Sequence, residues 1–208
     1  MRIQVTYSKT NHMRYTGHLD VQRTWERTLR RARLPLTYSQ GFNKRPKINL
    51  AAALPLGFTS SCEIVEFWLN RTLDINEIEL RLQEAIPPGI ELDKVAEVDS
   101  NMPKIPNLVK SAEYHVELLD AVSDLDHRIS EIIAAESLPR ERRNKCYDLR
   151  PLIEEIKITS NFDGIYSLKM KLAARNGATG RPEEVLRALA IDPYSTRVHR
   201  NKLYFFTE

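Results

Sequence analysis

Four arginines, Arg23, Arg27, Arg30 and Arg31, recur at i, i+4, i+7 and i+8 and so share one side of a helix. A row of guanidinium groups is chemistry for a polyanion, because each planar fork can meet two phosphate oxygens at once. The loop 39–46 (SQGFNKRP) follows, with Gly41, Phe42, Asn43, Lys44 and Arg45, and Lys47 lies just beyond it. Cations for phosphates and an aromatic ring for a base suit single-stranded RNA, although the same ring could anchor the loop onto the core. His18 opens the arginine helix with Asp20 two residues on. An imidazole kept neutral by neighbouring arginines can take a proton from a ribose 2′-OH, which makes His18 the candidate base of a metal-independent endoribonuclease. The plainer alternative has His18 and Asp20 capping the helix start. In the second half Arg140, Arg142, Arg143, Lys145 and Arg150 form another basic group, readable either as RNA contacts or as a solvated loop. The run NGATGRP could hold a phosphate on its backbone N–H groups or be a plain loop.

No catalytic template is complete. The chain has no GxGxxG, P-loop, HExxH or GxSxG motif. Its five histidines, His12, His18, His115, His127 and His199, are scattered, and its two cysteines cannot hold an iron–sulfur cluster. The expectation is a binding protein with no metal or cofactor of its own, rather than an enzyme.

The elements that must position these residues follow from the hydropathy pattern. Residues 2–8 alternate as a strand. The helix of about 18–33 carries Val21, Trp25, Leu29 and Ala32 on the face opposite its arginines, and Pro35 should stop it. Strands are expected over 48–56 and 62–69. A helix capped by Asp74 or Asn76 should carry Ile78, Leu82 and Ile86, and a strand should run from 90 to 98. After a proline-bearing stretch the pattern repeats: strand 112–119, a helix capped by Asp124, a charged loop 138–145 and a strand 152–159. A turn at Asp163-Gly164, strand 165–173, a helix starting at Pro182 and a closing strand follow. Both halves read β-α-β-β-α-β without evident sequence identity. The expected class is α+β: two tandem ferredoxin-like units, each an antiparallel sheet with helices on one face, over 1–98 and 111–208 with a linker at 99–110. One mixed domain with a single larger sheet is the alternative.

Composition bounds the rest. With 42% hydrophobic and 28% charged residues the 208-residue chain is an ordinary globular protein, with no apolar run of membrane-spanning length and no apolar leader, so a cytoplasmic location is expected. Cys62 and Cys146 lack metal or CxxC spacing and are expected to be reduced. The net charge of +3 conceals an asymmetry. Residues 1–50 hold 11 Lys/Arg against Asp20 and Glu26, which is +9, and the remaining 20 basic and 26 acidic residues give −6. That split suits an anionic partner for the first part of the chain.

The string HLD, the arginine helix, LPL-YSQGF--RP, the LPLG turn, the acidic strand after it and DLRP in the second half resemble the uncharacterised radical SAM-linked protein family. The resemblance spans nearly the whole chain and implies genes beside, or fused to, a large radical SAM protein. It therefore implies that protein as a partner, with a supporting role in modifying RNA or the translation machinery. Asn43 stands where that family usually has histidine, which argues against a paired-histidine site in the loop. The tandem ferredoxin-like layout with a histidine near the first helix also resembles CRISPR repeat-processing endoribonucleases at the level of fold. Three functions follow as expectations: an RNA-binding accessory protein for a radical SAM enzyme, an endoribonuclease using His18, or an adaptor whose arginine helix docks on that enzyme.

Overall fold

Ile3, Val5 and Tyr7 alternate with polar residues, and all three are buried on one side of β1 (Arg2–Lys9). The computed structural model describes residues 1–142, 144–162 and 165–206. Arg143 and the turn expected at Asp163-Gly164 lie outside the described residues. The chain divides into two compact units, Met1–Val109 and Lys110–Glu208.

In the first unit α1 (His18–Arg31), β2 (Ile48–Leu50), β3 (Thr59–Trp68), α2 (Ile75–Ala85) and β4 (Ile90–Val98) follow β1. The strand order is β4-β1-β3-β2, and each neighbouring pair is antiparallel. This is the split βαβ order of a ferredoxin-like unit. Val21, Trp25 and Leu29 of α1 and Ile78 and Leu82 of α2 form one core with the buried side of the sheet. Trp25 meets Tyr7 edge-on, with 4.8 Å between ring centroids. The apolar face expected for α1 is therefore the buried one, and its arginines face outward.

Backbone closure rather than Pro35 stops α1. Arg33 takes a left-handed φ of 51°, so that the Leu34 N–H reaches the Leu29 carbonyl at 3.3 Å and the Arg33 N–H reaches Arg30 at 3.0 Å. Leu29 and Leu34 are both buried, completing a Schellman motif. The strand expected over 48–56 is cut to three residues. Ala51 still donates to Ile64, but Pro55 has no N–H to offer, and the chain turns through Gly57 at φ 85°. The stretch expected as linker is held closely. Carbonyls of Asp99, Met102 and Pro103 accept from the Arg2 guanidinium, and the short helix α3 (Ile105–Leu108) buries Ile105.

The second unit contains β5 (Val109–Leu118), α4 (Leu125–Ala134), β6 (Pro139–Arg142), β7 (Lys145–Asp148), β8 (Ile153–Phe162), β9 (Ile165–Arg175), β10 (Ala178–Thr179), α5 (Pro182–Ala188) and β11 (Thr196–Phe205). Its order β11-β5-β9-β8 repeats the first unit's topology, with β10 prolonging the β8 side of β9. Two local expectations are corrected. The charged stretch expected as a loop over 138–145 contains strand: β6 and β7 pair antiparallel, with Arg140 opposite Tyr147 and Arg142 opposite Lys145. Asp124 precedes α4 but has φ 56° and makes no capping bond, because a cap needs extended backbone to aim its oxygen at the first N–H groups. Among the described residues no helix is long and apolar enough to cross a membrane.

Candidate nucleic-acid interface

The outward face of α1 meets the C-terminal half of α2, and two arginines tie the pair together reciprocally. Arg31 Nη2 donates to the Ala85 carbonyl at the end of α2, at 2.7 Å, and more weakly to Thr28 Oγ1 at 3.4 Å. Arg81 Nη1 of α2 donates to the Arg33 carbonyl just past the end of α1, at 3.2 Å, and its other nitrogen pairs with Glu77. Each guanidinium thus sits at the negative end of the other helix.

Two open depressions flank this junction and meet at Arg31. One, about 540 Å³, is lined by Arg31, Arg33, Arg81, Glu84 and the last turn of α2. The other, about 480 Å³, is lined by Thr24, Arg27, Arg30, Arg31 and Pro87. Five arginines therefore line these two adjoining depressions, with Arg31 in both, and Glu84 is the single carboxylate in their linings. Arg27 and Arg33 are exposed, and their side chains have no polar partner among the described residues. Arg30 approaches Glu26 only at 4.0 Å. Arg23 lies off this groove, one turn earlier, in an exposed pair with Asp20 at 3.2 Å. Exposed pairs of this kind hold an arginine only loosely.

The loop between Tyr38 and Lys47 is closed at its base. The Lys47 N–H donates to the Thr37 carbonyl and the Ser39 N–H to Arg45, each at 2.8 Å, and the Arg45 N–H reaches Ser39 Oγ at 3.1 Å. Pro46 is buried, whereas Phe42, Asn43, Lys44, Arg45 and Lys47 are all exposed. The anchoring alternative for Phe42 is thereby overturned, since its side chain is 107% exposed.

Other candidate residues are placed differently. His18 is the first residue of α1, half-buried, and Gly17 occupies the cap position. The Asp20 carboxylate goes to Arg23 and makes no bond to a helix-start N–H. Arg150 holds secondary structure: it donates to the Ile133 carbonyl through Nε and Nη2, at 3.2 and 2.9 Å, and to Ile153 through Nη1 at 3.2 Å. Arg140, Arg142 and Lys145 share one side of the β6–β7 ribbon with Tyr147. Burial and then the Glu184 carboxylate push the Tyr147 phenol up, against Arg142, Arg140 and Arg187. In the run NGATGRP the Gly180 N–H is already bonded to Ala173, at 2.8 Å, within the ladder. Sequence reasoning missed Arg81, whose only sequence signal is its i, i+4 spacing from Glu77. Cys62 and Cys146 form no disulfide. No cluster of three or more histidine, cysteine or acidic residues that could hold a metal occurs among the described residues.

Comparison with known proteins adds the family. Residues 2–182 match the family described as "Uncharacterized protein conserved in bacteria (DUF2344)". The chain belongs to this family. No curated protein matches this DUF2344 member. Among solved structures it is similar to a chain of a Cbf5-Nop10-Gar1 complex, at 9% identity and a TM-score of 0.51, covering 97% of this chain and 48% of that one. A chain from an H/ACA RNP bound to a substrate RNA containing 2′-deoxyuridine is 10% identical, with a TM-score of 0.49 and coverages of 97% and 47%. The DUF2344 chain thus spans about half the length of these structural neighbours, and the likeness concerns fold.

Proposed function

We propose that this DUF2344 protein binds RNA through the arginine groove between α1 and α2, together with the cationic loop after α1. On this reading it serves as an accessory to a radical SAM enzyme that modifies RNA or the ribosome. The observation that carries the RNA reading is the groove lining: five arginines from two helices and the turn after α1, against one carboxylate. Such a lining favours a phosphate backbone over any neutral ligand. Arg33 adds weight. It occupies a left-handed position where glycine is the easiest residue, and its side chain is exposed to the groove. The radical SAM partner rests on the family resemblance carried by the motifs of residues 17–57.

Arg31 and Arg81 cap helices, so the test uses Arg27→Gln combined with Arg33→Gly, which leaves both caps in place. Filter retention of ribosomal RNA fragments should show roughly tenfold or greater weakening, and the slope of log K against log salt should flatten by about 1.4 for two lost single-strand contacts. An unchanged affinity and slope would overturn RNA binding at this groove. For the partner, a pull-down of the neighbouring radical SAM protein that survives nuclease should succeed, and loss of that capture without effect on RNA would separate the two halves of the proposal.

A further inference from the structure

We infer that the loop after α1 is a base-stacking finger, which makes the RNA recognised by this protein single-stranded at that contact. This rests on the RNA-binding reading above and names the strand class that the reading leaves open.

The loop has the build of a presented tip. Its base is tied by the Thr37–Lys47 and Ser39–Arg45 backbone bonds, and the Thr37 N–H is bonded in turn to the Trp68 carbonyl at the end of β3, at 2.7 Å. The sheet therefore holds the neck while the tip stands clear. Gly41 has φ +128°, and a Cβ placed there would meet no atom within 4 Å, so glycine is needed for the backbone path rather than for space. That path carries Phe42 into solvent with its whole ring in water. A phenylalanine held fully in water forgoes the burial that a core position would supply. It serves no packing purpose in this chain.

The charge around the ring selects its occupant. From Arg27 to Cys62 the chain has seven cations, Arg27, Arg30, Arg31, Arg33, Lys44, Arg45 and Lys47, and no carboxylate. Lys44, Arg45 and Lys47 are exposed, and their side chains have no partner among the described residues. An exposed aromatic ring whose charged sequence neighbours are all cations suits a ligand that carries both π-faces and negative charge at nucleotide spacing. A duplex hides its base faces within the stack and leaves the ring nothing to cover, whereas an unpaired strand offers a face with every base.

The test compares an oligouridylate of roughly 16 nucleotides with an RNA duplex of the same length, against the wild type, Phe42→Ala, Phe42→Trp and the Arg27→Gln/Arg33→Gly pair. The wild type should prefer the single strand. Phe42→Ala should weaken single-strand binding about 5- to 100-fold and leave duplex binding and thermal stability unchanged, and Phe42→Trp should restore affinity with fluorescence quenched on binding. If Phe42→Ala binds like the wild type while the arginine pair binds weakly, stacking is wrong and the RNA reading stands. If neither change weakens binding, the RNA reading fails. Equal wild-type affinity for duplex and single strand would also overturn the inference, as would a Phe42→Ala protein that loses a protein partner but not the oligonucleotide.

Discussion

Arg2 and Glu66 are buried to 1% and 0% exposure and paired with each other, in a chain whose other cations lie largely at the surface. Glu66 also accepts from Asn49 Nδ2 at 2.9 Å and from the Ile105 N–H at 3.2 Å, and the Trp68 ring lies 5.4 Å from the Arg2 guanidinium. Removing Glu66 leaves the buried Arg2 charge without a counter-charge, held only by the Asp99, Met102 and Pro103 carbonyls and the Trp68 ring. Glu66→Ala should therefore lower unfolding stability by about 3–5 kcal/mol, read as a shifted urea midpoint. Gly89 is a second residue of this kind. A Cβ there would stand 2.7 Å from Met13 Cγ and 2.9 Å from the Met13 backbone nitrogen, at φ +92°. Gly89→Ala should destabilise by more than an ordinary surface change, because backbone cannot move aside as a side-chain tip can. Arg33 runs the other way. Arg33→Gly should raise the melting temperature, with up to about 1–2 kcal/mol of stability gained by relieving left-handed strain, while it weakens RNA binding. A single substitution that stabilises and impairs would distinguish a functional arginine from a structural one.

The helices are bounded by their own chemistry more than by proline. Asp74 Oδ1 accepts from the Asn76 N–H at 2.8 Å and the Glu77 N–H at 3.3 Å, so Asp74→Ala should cost about 1 kcal/mol in a thermal melt. Helix α5 ends as α1 does: Ala190 has φ 56°, and the Ile191 N–H reaches the Leu186 carbonyl at 2.9 Å. In the first turn of α5, burial pushes the Glu183 carboxyl up from its ordinary 4.5, despite a backbone hydrogen bond and the nearby Arg187, and its Oε2 has no hydrogen-bond partner among the described residues. A carboxyl raised in the folded state binds its proton more tightly there than in the unfolded chain. Its contribution to stability is full below 4.5 and is lost as pH rises through the folded value. Glu183→Gln should therefore gain stability relative to the wild type as pH rises from 4 toward 7, and parallel urea midpoints across that range would refute the assignment. These ends were partly legible in the residues. Asp74 is a cap by type and spacing, but Asp124 looks equally good and makes no cap, because its backbone lies in the left-handed region.

Summed along the sequence, residues 1–50 carry +9 and the remaining residues −6. If about six cations meet phosphates, log K for single-stranded RNA should fall against log salt with a slope near −4, and binding flat in salt would exclude a phosphate-led contact. Both units adopt the same strand order with no evident sequence identity, since split βαβ topology follows from which faces are apolar rather than from particular residues.

Periodicity alone established the two apolar faces, the outward arginines of α1 and the repeated order of elements, because side-chain direction in a helix or strand is a local property. Tertiary contacts decided which cations are available. Arg150 reads as a surface cation in sequence but is bonded to the Ile133 and Ile153 carbonyls. Arg81 stands in sequence as the one cation of an acidic helix, yet it joins the groove because α2 runs beside α1. Phe42 can anchor a loop or stand free of it by residue type alone, and it is the fold that leaves it fully exposed. A side chain's partners come from segments far away in the chain, and local pattern carries no information about them.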